Sequence, residues 1–273
     1  MAVIRDFKHR IIGFAERMGW AYTGSPKVAF QRLISRLHPE TTEIPLIRLG
    51  GMHDGGYLVP DDLAGVVALF SPGVADSSEF ERACLERNMR VFMADASVSG
   101  PASGLADSPG VHFTPHFIGA HGRPDRLALD EWVASAGLPP EADLMAQIDI
   151  EGAEYELLLN ASTTVLSRFR VLVIEFHDVE LWAHPGMRQV AEAALDRLLV
   201  THRVVHAHPN NHLPLKRMRD VAVPPLIELT FYRRDRAAST GWATAFPHAA
   251  DADNVPDRPA VVLPRNWWGG PAR

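Results

Sequence analysis

Five short segments of the sequence set chemically capable side chains directly after an apolar run. The first is Gln147-Ile148-Asp149-Ile150-Glu151-Gly152-Ala153-Glu154. Three carboxylates beside a buried strand cost stability unless they are paired, solvated or bound to something. Glu151 and Glu154 are explained by the dipole of the helix that follows, which leaves Asp149, nearest the strand end, as the functional candidate. In Val171-Leu172-Val173-Ile174-Glu175-Phe176-His177-Asp178, alternation puts Glu175 and His177 on one face. In Val204-Val205-His206-Ala207-His208-Pro209-Asn210-Asn211-His212, the imidazoles of His206 and His208 share a face, and Asn210 and Asn211 add amides. Such a group can bind substrate hydroxyls, serve as a general base or ligate a metal. Asp95 follows Val91-Phe92-Met93-Ala94, where a carboxylate either accepts both hydroxyls of a ribose or caps a helix. Finally, Ser71-Pro72-Gly73-Val74 ends a strand in a glycine turn without the G-x-G-x-x-G spacing that cradles a pyrophosphate. A nucleoside lacking phosphate fits that loop better than a dinucleotide.

These segments need a scaffold that brings strand ends together. Short aliphatic runs at 66–71, 90–94, 111–114, 144–149, 171–176, 203–207 and 226–233 alternate with helical stretches. The pattern predicts an α/β fold, a doubly wound, seven-stranded, mostly parallel sheet, with the last strand antiparallel. Ligands in such sheets sit at the carboxyl ends of strands near the topological switch point. Apolar spacing predicts helices over 3–18, 26–37 and 187–200, and Ser78-x-x-Glu81 reads as a capping box. The chain therefore divides into a helical extension (1–42), a main domain (43–235) and an irregular tail (236–273). The extension reads as a cover for the sheet edge, a homodimer contact or a substrate lid.

Composition narrows the function classes. A net charge of −6 over 273 residues argues against nucleic acid as a partner. One cysteine, Cys84, excludes an internal disulfide and a multi-thiolate zinc site, and makes a reducing, cytoplasmic location the expectation. No apolar run approaches a membrane span and no signal-peptide core is visible.

From about residue 43 to 235 the sequence resembles class I S-adenosylmethionine-dependent methyltransferases of the FkbM type. The resemblance rests on Ser71-Pro72-Gly73-Val74-Ala75, Asp95, His116-Phe117-Ile118-Gly119 and above all Asp149-Ile150-Glu151-Gly152-Ala153-Glu154. It departs where many such enzymes open the loop with an acidic residue and this chain reads Leu69-Phe70-Ser71. The resemblance implies S-adenosylmethionine held by Tyr57, Ser71, Gly73, Val74, Asp95 and Asp149, and methylation of a hydroxyl on a sugar, oligosaccharide or glycosylated small molecule. The segment Arg48 to Tyr57 is similar to one that approaches the methionine end of the cofactor, and reads equally as a glycine-rich turn. Similarity to macrocin-type sugar methyltransferases implies Mg²⁺ on Asp149 and Glu175, with His208 or Asp178 assisting. His177 or His206 is then the proton acceptor, and Asp54, Glu151, Asn210 and Trp182 are placed at the acceptor, with Trp267-Trp268 a further aromatic platform for a sugar. Two other readings stay open: a nicotinamide-dependent oxidoreductase, and a catalytically silent nucleoside-binding subunit.

Overall fold

The computed structural model describes residues 27–74, 78–101, 104–105, 108–120, 124–218 and 220–270. The helix expected over 3–18 lies outside them. Seven strands form the main sheet: β1 (Val66–Pro72), β2 (Arg90–Ala94), β3 (Val111–Thr114), β4 (Asp143–Ile148), β5 (Phe169–Phe176), β6 (His202–Pro209) and β7 (Ile227–Arg233). Their order is β3-β2-β1-β4-β5-β7-β6. All neighbours are parallel except β7, which runs antiparallel to both β5 and β6. This is the doubly wound Rossmann-like sheet expected from the sequence, and its winding reverses between β1 and β4.

Helices α1 (Lys27–Ser35), α2 (Glu79–Leu85), α3 (Leu129–Ser135), α4 (Glu154–Asn160), α5 (Thr163–Arg168) and α6 (Pro185–Leu199) complete the scaffold. Alternation sorts the strand residues onto two faces. Phe70, Ala146, Leu172, Ile174 and Leu229 pack into a core with α1, α4 and α6. Leu69, Met145, Val171, Val173 and Tyr232 pack on the other face with α2 and the antiparallel hairpin Leu46–Gly50/Gly56–Pro60. The α6 stripe of Ala191, Ala194, Leu195 and Leu198 is buried as its spacing requires, and Pro185 opens the helix where a missing N–H costs nothing. No helix among the described residues is long and apolar enough to cross a membrane.

Two expectations change. Ser78 makes no capping hydrogen bond; Glu81 turns inward, 6% exposed, to meet the Ser71 hydroxyl. Inside the domain a polar partner outweighs the local capping motif. Trp267, expected as an aromatic platform, is instead fully buried and donates its indole N–H to the carbonyl of Ala222.

The amino end of β5 is fixed by Arg170, which is 4% exposed and donates to Asp143, to Asp62 and to the Ala64 carbonyl. Arg170→Ala would leave these acceptors short of their donor. The expected loss is about 3 kcal/mol or more of unfolding free energy, read as a lower urea midpoint.

Candidate functional site

The switch point is held by one close backbone contact. Gly73 has φ +89°, and a Cβ there would lie 1.8 Å from the Asp149 carbonyl oxygen. Only glycine lets the ends of β1 and β4 approach so closely. Just beyond, the Val74 N–H donates to Asp95 Oδ2 at 3.0 Å, while Oδ1 accepts from the Ser97 N–H and hydroxyl. Asp95 therefore organises the loop at the end of β2 and caps no helix. Burial alone would raise its pKa, but the bonds from Ser97 and Val74 outweigh burial and hold it low. Its carboxylate retains acceptor capacity on Oδ2 for a further hydroxyl.

A cavity of about 290 Å³ opens here, lined among others by Gly73, Asp95, Phe117, Ile118, Asp149 and Ile150. Its lining combines the apolar side chains with three carboxylates, of Asp95, Asp149 and Glu151, and with Arg126. A smaller space of about 40 Å³ adjoins it through Gly73 and Asp149, and is lined also by Asp54, Tyr57 and Gln147. Asp149 thus stands at the junction of the two.

Ser71, expected at the cofactor, is completely buried and lines neither space. Its hydroxyl lies 2.6 Å from Glu81 Oε1 and 2.9 Å from Gln147 Oε1. The hydroxyl thus bridges the two side chains, and burial pushes the Glu81 carboxyl up. Gln147 in turn donates to the Tyr57 hydroxyl at 3.1 Å. The buried chain ties Tyr57, a residue of the hairpin, to the strand ends of the main sheet.

Around Asp149 the loop 150–152 is tightly wound. Glu151 is left-handed at φ 53°, as is Asp178 at φ 54° after the neighbouring strand. Backbone strain of this kind costs of order 1–3 kcal/mol per residue and clusters at functional sites. Glu154, fully buried, supports the turn by accepting from the Ile150 and Gly152 N–H groups, and also meets His177 Nδ1 at 3.1 Å. The other ring nitrogen, Nε2, lies 3.8 Å from Asp149 Oδ1 and 3.3 Å from Glu151 Oε2. Burial pulls His177 down, but the hydrogen bond and charge of Glu154, then Asp149 and Glu151, outweigh it and raise its pKa to about 8. Asp149 is pushed above the usual carboxylate range, chiefly by burial, and its Oδ1 has no hydrogen-bond partner among the described residues.

The other candidates do not join this group. His206 bonds Asp251 at 2.9 Å on the edge strand β6, three strand spacings, roughly 14 Å, from β4. It cannot reach a proton held at Asp149. His208 stands beside it, so the expected metal set of Asp149, Glu175 and His208 is not assembled. Glu175 is 4% exposed and accepts from the amide of Asn210, whose own oxygen takes the His212 N–H. Asn210 therefore uses both amide atoms in internal bonds, and it is 6% exposed. Trp182 is fully buried, donates to the Tyr155 hydroxyl at 2.8 Å and packs at a tilt against Trp267. Neither indole offers a platform to a sugar. Trp182 instead fixes Tyr155, which donates to the His177 carbonyl.

Among the described residues, the groups whose ligand atoms converge enough for an ion are Asp149/Glu151/His177 and His206/His208/Asp251. Each contains imidazole, whereas Mg²⁺ takes oxygen ligands. Neither donor set fits the Mg²⁺ implied by the sequence.

No family model matches the chain, and no curated protein matches it. Solved structures give distant likenesses. A TehB-like S-adenosylmethionine-dependent methyltransferase from Corynebacterium glutamicum is 11% identical, with 85% of this chain and 99% of that one covered and a TM-score of 0.32. A 1,6-didemethyltoxoflavin-N1-methyltransferase from Burkholderia thailandensis, bound to its substrate and S-adenosylhomocysteine, is 13% identical over 85% and 88%, with a TM-score of 0.32. A fibrillarin/Nop5p complex is 11% identical over 63% and 74%, with a TM-score of 0.36. At such scores the likeness bears on neither substrate nor residue roles.

The raised pKa of His177 has a consequence for stability. A group whose folded pKa lies above its unfolded value of about 6.5 stabilises the fold below that pH and loses the contribution as pH rises through the folded pKa. Unfolding free energy should therefore fall between about pH 6.5 and about pH 8. His177→Gln should flatten that decline by about 2 kcal/mol, measured by denaturant titration across the range.

Proposed function

We propose that the chain is an S-adenosylmethionine-dependent O-methyltransferase acting on a hydroxyl of a small acceptor of the sugar or glycosylated class. The observation that carries the cofactor reading is the cavity at the switch point, where Gly73, Asp95 and Asp149 converge without a pyrophosphate cradle. Asp95, Phe117, Ile118 and Ile150 would hold the cofactor's nucleoside part in the larger space, and Tyr57 and Asp54 line the smaller space that would take the methionine part. Bound S-adenosylmethionine supplies an already activated methyl group.

The residues then have only to align an oxygen and take its proton. Asp149 stands where the two spaces meet, with an unpartnered oxygen and a proton affinity raised toward neutrality. There it would accept the proton that the acceptor hydroxyl loses on methylation. His177, expected from sequence as an acceptor of the proton, is held largely protonated near pH 7 by its carboxylate neighbours. It positions Asp149 and offsets the charge of Glu151 and Glu154. Glu151 and Asp54 remain as side chains for the acceptor, since one lines the larger space and the other the smaller. The resemblance of the 149–154 motif supports a hydroxyl as the acceptor group.

Titration calorimetry with S-adenosylmethionine and S-adenosylhomocysteine should show one site per chain, weakened by Asp95→Ala; no heat with either ligand would overturn the reading. Asp149→Asn keeps the backbone contact with Gly73. It should lower kcat by about 10²–10⁴-fold with cofactor affinity nearly unchanged, and a normal kcat would remove Asp149 from the base role.

A further inference from the structure

The group His206, His208 and Asp251 is unused by methyl transfer. The histidines occupy alternate positions near the carboxyl end of the edge strand β6, and Asp251 reaches them from the tail. His206 Nε2 lies 2.9 Å and His208 Nδ1 3.7 Å from the same oxygen, Asp251 Oδ1. All three ligand atoms fall within 4.8 Å of one another. Donor atoms sharing a tetrahedral ion at about 2.0–2.1 Å are separated by roughly 3.3 Å, so these distances bracket the spacing a metal imposes.

His208 supplies a second, independent observation. Its side chain is 10% exposed, yet Nε2 has no hydrogen-bond partner among the described residues and Nδ1 meets only Asp251, beyond hydrogen-bond distance. A buried imidazole nitrogen left unsatisfied is costly and calls for a ligand. The surroundings suit a cation. Glu228 lies directly opposite His208 in the β6–β7 register, and the other oxygen of Asp251 is oriented by the His248 N–H at 2.7 Å. Such outer contacts fix a ligating carboxylate. A pocket of about 160 Å³, lined by His206, His248, Phe246 and Thr42 among others, gives access to the His206 side.

We propose that His206, His208 and Asp251 form a site for a divalent transition metal of the zinc type, which fastens the tail to the edge of the sheet. Two of the three donors are imidazoles, which suit zinc rather than magnesium, and a carboxylate is a common third zinc ligand. The site is separate from the cofactor cavity and does not depend on the methyltransferase reading.

The test uses the full chain, free of any affinity tag and dialysed against chelator, then titrated with Zn²⁺ alone. One ion per chain should bind, with a rise in thermal midpoint, while Mg²⁺ should give no heat. His208→Gln should weaken zinc binding by about 100-fold or more, whereas His177→Gln, which dismantles the other candidate cluster, should leave it unchanged. Co²⁺ in the unmodified protein should give visible ligand-field absorption, a readout that needs no variant to fold. No zinc uptake by the unmodified chain, undiminished uptake by folded His208→Gln, or loss only in His177→Gln would overturn the proposal.

Discussion

The contact on which the site depends is the one between Gly73 and the carbonyl of Asp149. No side chain can be inserted there, so the loop after β1 and the loop after β4 are forced into a fixed relation. Everything chemically active hangs from that junction. The Val74 N–H is thereby aimed at Asp95, and the Asp149 carboxyl is delivered to the boundary of the two cavities. Because the constraint is steric and lies in the backbone, substitutions of the Asp149 side chain can alter chemistry without moving the frame.

A second theme is the line of polar side chains across the hairpin-covered face of the sheet. Ser71, Gln147, Glu175, Glu228 and His208 stand on five strands. Glu175 and Glu228 are direct cross-strand partners, an arrangement that is unfavourable if both are charged. Burial, followed for Glu175 by the nearby carboxylates, pushes its pKa up. Burial also raises Glu228, against the opposing pull of His208 and the Asn254 amide. Each carboxyl also has an amide donor of its own, Asn210 for Glu175 and Asn254 for Glu228, which offsets part of the cost of burial. The hairpin closes over this row, with the Leu58 carbonyl accepting from Thr230.

Much of this was legible in the sequence. The strands announce themselves through aliphatic runs, and the reversal of the last pair through Pro224-Pro225 before a strand of alternating pattern. Gly73, Asp95 and Asp149 are found by their place after strands, because sheet topology brings strand ends together whatever lies between. The failures have a common cause in distance. Asp251 sits in a tail with no periodicity, so nothing marks it as the partner of His206, 45 residues away. Trp182 looks like an exposed loop aromatic because the tail that buries it, through Trp267, has no sequence signal of its own. Gln147 and Glu228 did carry a signal, a polar residue on an otherwise apolar strand face. Glu154 was credited only to a helix dipole, although a fully buried carboxylate needs more partners than a dipole supplies.

The position of β6 has one more consequence. It ends the sheet, yet all eight of its residues are buried, because the tail lies along it through Asp251 and Phe246. An exposed edge of that length is a template for strand addition and aggregation. Here the chain carries its own cover, so two copies can join sheet to sheet through β6 only after the tail has been peeled away.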